Sequence, residues 1–326
     1  MRRCPRALQK FPLVLLPNSD AATEPRTCAI PPHNTSPPTH YACNMTCQML
    51  DGKLLGQKVR ADVKARVSAS QSVARLDAIL VGADEAAEVY AHSQARTCEE
   101  AGIHYVLHRL AATSTFDDIA GRVLLLNNEN QVRAIMLHLP LPVGVDVERV
   151  QSLIAPEKDV EGVNPANIGN VVYGRRSLVP CTARAVLELI ESTKINLQGA
   201  RAVVVGASNI VGKPVAVLLM RSNATVISSN KFTLELPQLT RAADVVVAAA
   251  GVVGLVKGDW IKPGAVVIDV GIHRVTSPQG KTTTMGDVDF ESVSKVAGFL
   301  TPVPGGVGPM TVAMLLRNVA DACLKT

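Results

Sequence analysis

Between residues 200 and 272 the chain carries four short runs rich in β-branched residues: "ARAVVVGAS" (200–208), "NATVISS" (223–229), "ADVVVAAAG" (243–251) and "GAVVIDVGI" (264–272). Helical or loop segments separate them. Strands this apolar leave little for a solvent face, so they predict a parallel sheet covered by helices on both sides. The first run breaks at Gly206 and is followed by "VGKPVAVLLM", a strand–loop–helix order that brings a helix N-terminus within reach of a phosphate. The G-x-G-x-x-G pattern of such loops would place glycine at 208, where this chain has Ser208. Gly206 supplies the tight turn, Ser208 and Asn209 offer donors to a phosphate, and Gly212 lets the helix close on the sheet.

A second strand–helix alternation starts at Met49. "GQKVRADVKARVSA" has helical spacing, "RLDAILVG" reads as a strand ending at Gly82, "ADEAAEVYAHSQARTCEEAG" is a helix closed by Gly102, and "RAIMLHLPLP" is a strand stopped by prolines. The expected fold class is α/β, with an N-terminal α/β domain, a C-terminal parallel-sheet domain of the dinucleotide-binding type, and a cleft between them.

Residues 1–48 differ in kind. They hold eight of the chain's 20 prolines, many Ser and Thr, and no helical or strand period, which predicts a disordered extension without a core of its own. Its first nineteen residues contain Arg2, Arg3, Arg6 and Lys10 and no acid, a composition compatible with a mitochondrial presequence. Pro5, Pro12 and Pro17 spoil a clean amphipathic helix. A plain tail on a cytoplasmic protein, or translation starting at Met45 or Met49, is the alternative.

Composition excludes several classes. Of the net charge of +5, residues 1–48 contribute +3, so the remainder is close to neutral, and aromatics make up only 3%. Neither the stacking platforms nor the basic stripe of a nucleic-acid binder is there. No uninterrupted apolar run reaches the roughly 18 residues of a membrane span, so a soluble chain is expected. Seven dispersed cysteines, four of them in the extension, make neither a disulfide framework nor a zinc site, and free thiols in a reducing compartment are expected.

The cofactor loop also bears on nucleotide choice. An NAD site carries an acid at the end of the next strand to hold the ribose hydroxyls. Here the stretch is "SSNKFT", with Lys231 and no acid. A lysine beside the ribose suits a 2′-phosphate, which favours NADP, with NAD left open and a surface lysine as the plain alternative.

The segment "TPVPGGVGPMTVAMLLRN" (301–318) packs three prolines and three glycines into a loop before an apolar helix. Taken with "MLDGK" (49–53), "LPLP" (139–142), "PEKDVEGVNPANIG" (156–169), "GASNIVGKP" (206–214) and "DWIKPGAVVIDVGI" (259–272), it resembles the bifunctional methylenetetrahydrofolate dehydrogenase/methenyltetrahydrofolate cyclohydrolase family, with the segments in the family's order. The resemblance implies a homodimer of two-domain subunits. A folate-binding catalytic domain would span 49–183 and be completed by the C-terminal helix at 304–326, with an NADP-binding Rossmann domain at 184–303. It implies tetrahydrofolate as substrate, held by Glu161, Pro304, Gly305 and Gly306. The cofactor would lie against Gly206, Ala207, Ser208, Ile210, Val211, Lys231, Gly271, Ile272 and Thr311.

The residues carried over at the reacting centre are Tyr90, Gln94 and His138, and two of these depart from the family's pattern. The family's active-site helix has Tyr and, four residues later, Lys; "VYAHSQART" keeps Tyr90 and has Gln94. Positions four apart share a helix face, so both are expected to point into the cleft. The glutamine that partners that lysine is His138 in "LHLPLP", the second acid of K-D-V-D-G is Glu161, P-C-T-P-x-G has become "PCTARA", and Ala207 replaces an arginine. Hydride transfer from the methylene bridge needs alignment more than proton movement, whereas hydrolysis of the methenyl bridge needs a proton taken and another delivered. The substitutions therefore predict an NADP-dependent dehydrogenase with the cyclohydrolase step weak or lost. Two alternatives stand beside it: a fully bifunctional enzyme in which His138 replaces the lysine, and a non-catalytic folate- or nucleotide-binding paralogue. His273, where the family commonly has asparagine, is a candidate neighbour of the nicotinamide. Asp159 is expected to fix its loop and Lys53 to face solvent.

Overall fold

The β-branched runs form their expected sheet in the computed structural model, which describes residues 46–82, 85–175, 178–276, 280 and 282–324. The presequence-like segment, His33, His40, Cys4, Cys28 and Cys43 lie outside the described residues. Strand β1 (Gln48–Met49) leads into helix α1 (Gly52–Ala69), whose first turn is capped by Asp51, a side chain that accepts from the Lys53 and Leu54 amides at 2.8 and 3.1 Å. Next come β2 (Arg75–Val81), α2 (Glu85–Glu100), β3 (His104–Leu110), α3 (Phe116–Asn128), β4 (Ile135–Leu137), α4 (Val147–Gln151) and α5 (Pro165–Tyr173). These strands make a three-stranded parallel sheet in the order β3-β2-β4.

Helix α6 (Cys181–Ser192) leads to β5 (Arg201–Val205), α7 (Gly212–Arg221), β6 (Thr225–Ser229), α8 (Leu236–Arg241), β7 (Val245–Ala248) and β8 (Val266–Asp269). An antiparallel hairpin, β9 (His273–Thr276) and β10 (Thr282–Met285), is followed by α9 (Phe290–Val293), β11 (Phe299–Leu300) and α10 (Val307–Cys323). The second sheet has six parallel strands in the order β1-β11-β8-β7-β5-β6. Every residue of β7 and β8 is buried, as sheet covered on both faces requires. The strand order reverses between β5 and β7, and a doubly wound sheet opens its ligand crevice at such a reversal.

The structure corrects three boundaries. Gln48, expected in the extension, pairs in parallel with Phe299, so the short strand β1 belongs to the C-terminal sheet. The domain junction expected at 183/184 falls inside α6, which is continuous because its apolar face, with Ala183, Val186, Leu187 and Ile190, is buried without a break. The strand read from "RAIMLHLPLP" is only three residues long. Helix α10 packs on both α1 and α6 and joins the core shared by the two sheets, so residues from the C-terminal end of the chain reach the N-terminal lobe.

Candidate active site

The loop after β5 is shaped by two glycines. Gly206 has φ +110°, and a Cβ there would lie 2.1 Å from the Ala249 carbonyl oxygen; one on Gly212 would lie 1.9 Å from the Gly206 carbonyl oxygen. Loop, strand and helix therefore approach more closely than any side chain permits. Ser208, expected as a donor to phosphate, also holds the turn. Its Oγ accepts from the Val211 and Gly212 amides at 3.2 and 3.3 Å and satisfies the start of α7. Asn209 reaches across to α4, donating to Glu148 Oε1 at 3.1 Å and accepting from Lys213 Nζ at 2.7 Å. The backbone N–H groups of Ala207, Ser208, Asn209 and Ile210 have no protein partner among the described residues. They form a row of donors beside a helix N-terminus, which is the chemistry that holds an anion. Lys231 stands two residues beyond β6, exposed, with Nζ 5.0 Å from the Phe232 ring centroid.

Farther along the same sheet, Gly271 and Ile272 follow β8 and border a cavity of about 170 Å³ whose opposite wall is the loop 302–309, with Pro304, Gly305 and Gly306. Thr301 ties this loop to the sheet by accepting from the Asp269 amide at 2.7 Å. Asp269 in turn accepts from the Gly271, Asp287 and Val288 amides, and burial pushes its carboxyl up to about 6. His273 Nε2 lies 2.7 Å from Asp287 Oδ1, and Asp287 Oδ2 accepts from the Ala250 and Gly251 amides. His273 thus acts on the loop after β7. Lys53 is exposed as expected but also lines this cavity; its place in "MLDGK" was the signal for that.

A smaller cavity of about 90 Å³ lies where the two sheets and α10 meet. Tyr90, Glu161, Ile210 and Thr311 all line it, together with Met136, Val163, Pro180, Cys181, Thr182, Val312 and Leu315. Four residues from four separate motifs are thereby brought together. Cys181 and Thr182 were visible only as a retained "PCT", and Val163 carried no sequence signal. Glu161 is held by a hydrogen bond from the Leu137 amide to Oε2 at 3.2 Å, and burial, opposed by that bond, pushes its carboxyl up to about 7. Burial first, and Glu161 second, raise the Tyr90 hydroxyl above its ordinary value. Asp159 fixes the loop as expected, accepting from the Gly162 and Asn164 amides and the Asn167 side chain at 3.1, 2.7 and 3.0 Å.

Gln94 and His138 do not reach this cavity. Each is only 2% exposed. Among the described residues the Gln94 amide makes one hydrogen bond, a long 3.9 Å approach to Cys98 Sγ, and burial pushes that thiol up to about 12. His138 bonds not to Gln94 but to Tyr105, with Nε2 2.8 Å from the hydroxyl, and its ring meets the Tyr90 ring edge-on at 5.7 Å. Burial lowers the affinity of His138 for a proton, so it sits as a neutral ring behind Tyr90. The cysteines among the described residues, Cys47, Cys98, Cys181 and Cys323, are free thiols. No helix of the described residues is long and apolar enough to cross a membrane.

Comparison with known proteins gives the same pairing of lobes. Residues 50–161 match the catalytic domain, and residues 180–326 the NAD(P)-binding domain, of tetrahydrofolate dehydrogenase/cyclohydrolase. The chain is 46% identical over 284 residues, 86% of its own length and 100% of the relative's, to the bifunctional protein FolD of Moorella thermoacetica, and 46% identical over 285 residues to that of Bordetella avium. A crystal structure of the bifunctional enzyme FolD from Campylobacter jejuni superposes with a TM-score of 0.81 at 39% identity, covering 85% of this chain and 99% of that one. The Trypanosoma brucei enzyme, solved with NADP and an inhibitor, does so with a TM-score of 0.78 at 36% identity, covering 84% and 96%. The expectation of a weak or lost cyclohydrolase step is not borne out, because these relatives are bifunctional enzymes.

Proposed function

Because the chain belongs to the tetrahydrofolate dehydrogenase/cyclohydrolase family, we propose that both of its reactions run in the cavity between Tyr90 and Glu161, with the cofactor entering from the Gly206 loop. The protein is an NADP-dependent methylenetetrahydrofolate dehydrogenase/cyclohydrolase of one-carbon metabolism. It oxidises 5,10-methylene-tetrahydrofolate to the 5,10-methenyl form and hydrolyses that to 10-formyl-tetrahydrofolate. The observation that carries this reading is the meeting of Tyr90, Glu161, Ile210 and Thr311 around one cavity at the junction of the two lobes.

The unpartnered amides of residues 207–210 and the glycine-shaped turn fit a dinucleotide phosphate, and Lys231 at the end of β6 fits a 2′-phosphate. NADP, when bound there, accepts the hydride. The protein's own part in that step is alignment: Gly271 and Ile272 wall one side, and the 302–309 loop with Pro304, Gly305 and Gly306 closes the other. Folate packs on the Tyr90 ring, which is 46% exposed, while Glu161 faces its polar ring atoms. His138, edge-on behind Tyr90, holds that ring in place, and Gln94, one turn along the same helix, is buried against Cys98.

The test is a paired absorbance assay on the full chain, following NADP reduction with methylene-tetrahydrofolate and, separately, loss of methenyl-tetrahydrofolate. Both rates rise with enzyme if the reading is right; no turnover of either folate by the folded protein overturns it. We also assign the chain to a homodimer, on the family's pattern, to be checked by light scattering. Its address is mitochondrial, on the basic, acid-free composition of residues 1–19, or cytoplasmic; import into isolated mitochondria separates the two.

A further inference from the structure

Sheet order dictates the path of a bound dinucleotide. In the C-terminal sheet β7 lies between β5 and β8, so a cofactor reaching from the Gly206 turn after β5 to Gly271 and Ile272 after β8 must cross the loop after β7. One side chain holds that loop from behind. Asp287, whose side chain is fully buried, accepts from the Ala250 and Gly251 amides through Oδ2 at 2.6 and 2.8 Å. The same carboxyl lies against the segment after β8, where a Cβ on Gly271 would stand 2.2 Å from Oδ1. On its other side the loop meets the Gly206 turn, through the Ala249 carbonyl oxygen. Asp287 thus touches two of the three segments that the cofactor must follow, and the third rests on one of those two.

We propose that His273 is a positioning residue for the cofactor, acting through Asp287. This rests on the dinucleotide site assigned above and names what keeps its walls in register. His273 opens β9 opposite Met285 of β10, two residues before Asp287, so ring and carboxyl meet across the base of the hairpin. His273 Nε2 lies 2.7 Å from Asp287 Oδ1. As a carboxylate Asp287 accepts at both oxygens, so Nε2 is the donor. A second buried acid, Asp269, stands beside the pair and anchors the Asp287 backbone, accepting from the Asp287 and Val288 amides at 2.9 and 3.0 Å. Among the described residues His273 is the only basic side chain within ion-pairing distance of either acid. Without it, Oδ1 of a buried carboxylate loses its partner, which is costly enough to turn the group. The backbone being anchored, the side chain is what turns, and the Ala250 and Gly251 amides lose their acceptor with it. The asparagine usual in the family ends where the imidazole Nδ1 does, short of Nε2, so this tie belongs to the histidine. Its effect falls on hydride transfer, which needs the nicotinamide aligned, and not on methenyl hydrolysis, which uses no nucleotide.

The experiment compares wild type, His273→Leu and His273→Gln by calorimetric titration with NADP, by both turnover assays, and by ¹⁵N–¹H spectra of the protein without nucleotide. His273→Leu removes the donor. It should lose on the order of 10- to 100-fold in NADP affinity and in kcat/KM for NADP, keep the KM for methylene-tetrahydrofolate, and lose much less in methenyl hydrolysis. The amide of a glutamine side chain reaches as far as the imidazole Nε2, so His273→Gln should recover most of the affinity. In the spectra the Ala250 and Gly251 amide protons, carried downfield by short bonds to a carboxylate, should move upfield in His273→Leu and stay in place in His273→Gln, a readout that needs neither cofactor nor turnover. Undiminished NADP affinity in His273→Leu, hydrolysis lost as fully as hydride transfer, or a glutamine variant no better than the leucine one would overturn the proposal. A folded wild type that bound no NADP would instead overturn the assignment of the dinucleotide site.

Discussion

The Tyr105 hydroxyl lies 2.8 Å from His138 Nε2, and this bond links the strand β3 to the ring that backs Tyr90. Burial raises the Tyr105 hydroxyl far above its ordinary range, so it keeps its proton, and donation of that proton to Nε2 requires the His138 proton to be on Nδ1. Tyr105→Phe removes only the donor and leaves a buried acceptor without a partner, at a cost of about 1–3 kcal/mol. Urea unfolding should show that loss, and ¹⁵N spectra should show His138 leaving the single Nδ1–H tautomer. An unchanged tautomer would mean that the bond does not hold the ring.

How this corner is wired was not legible beforehand, while the frame around it was. The four strands and the Gly206 turn follow from β-branched runs and from where a Cβ cannot fit, both local properties. Tyr90, Glu161, Ile210 and Thr311 were each named from separate motifs, but only the fold brings them to one cavity. Gln94 and Tyr90 share a helix face by spacing, yet Gln94 turns toward Cys98 and is covered. Periodicity says which side of a helix a residue occupies and not how far its side chain extends. Tyr105 was missed because β3 is an edge strand with mostly half-buried positions, which blurs the alternation that marks a strand.

Substitution of Gly212 is expected to separate cofactor binding from folate chemistry. A Cβ at this position would stand 1.9 Å from the Gly206 carbonyl oxygen, so Gly212→Ala must push the start of α7 off the loop. The expected outcome is a destabilisation of about 2–4 kcal/mol, in the range of other backbone clashes, with NADP binding lost before methenyl hydrolysis. Calorimetric titration with NADP alongside a thermal melt decides it: an intact melt with intact NADP affinity contradicts the close approach.

We propose that Lys231 sets nucleotide choice. It is the cation at the end of β6, where an NAD site would carry an acid. A charge-assisted hydrogen bond to a 2′-phosphate contributes roughly 1.5–3 kcal/mol, so Lys231→Ser should weaken NADP by about 10- to 100-fold and leave NAD unchanged. Equal weakening of the two nucleotides would show that the lysine serves the fold or the shared phosphates instead.

Asp77 is fully buried in β2 and is held by Arg75 at 2.6 Å and His108 at 2.8 Å through one carboxylate oxygen, Oδ1. Its Oδ2 and the Arg75 Nε are buried with no hydrogen-bond partner among the described residues. Asp77→Leu strands the arginine and should cost about 3–5 kcal/mol, whereas Asp77→Leu with Arg75→Leu should recover most of that loss. The double-mutant cycle is the measurement, and additive losses would refute the coupling.

Glu161 makes the fold sensitive to pH in a direction opposite to that of an ordinary ion-paired carboxylate. Its proton is bound more tightly in the folded chain, with the carboxyl at about 7, than in a free glutamate side chain, whose ordinary value is 4.5. Between those values the folded state holds a proton that the unfolded state has released, so the stability contributed by this group is whole below about pH 4.5 and falls as pH rises to about 7, after which it levels. The full difference is on the order of 3 kcal/mol, at about 1.4 kcal/mol for each tenfold change in proton affinity. Glu161→Gln carries no proton to lose and should therefore match wild type near pH 4 and exceed its stability by that amount near pH 8. Denaturant midpoints at the two pH values test this without any substrate. A glutamine variant no more stable than wild type at the higher pH would place Glu161 as an ordinary ionised carboxylate.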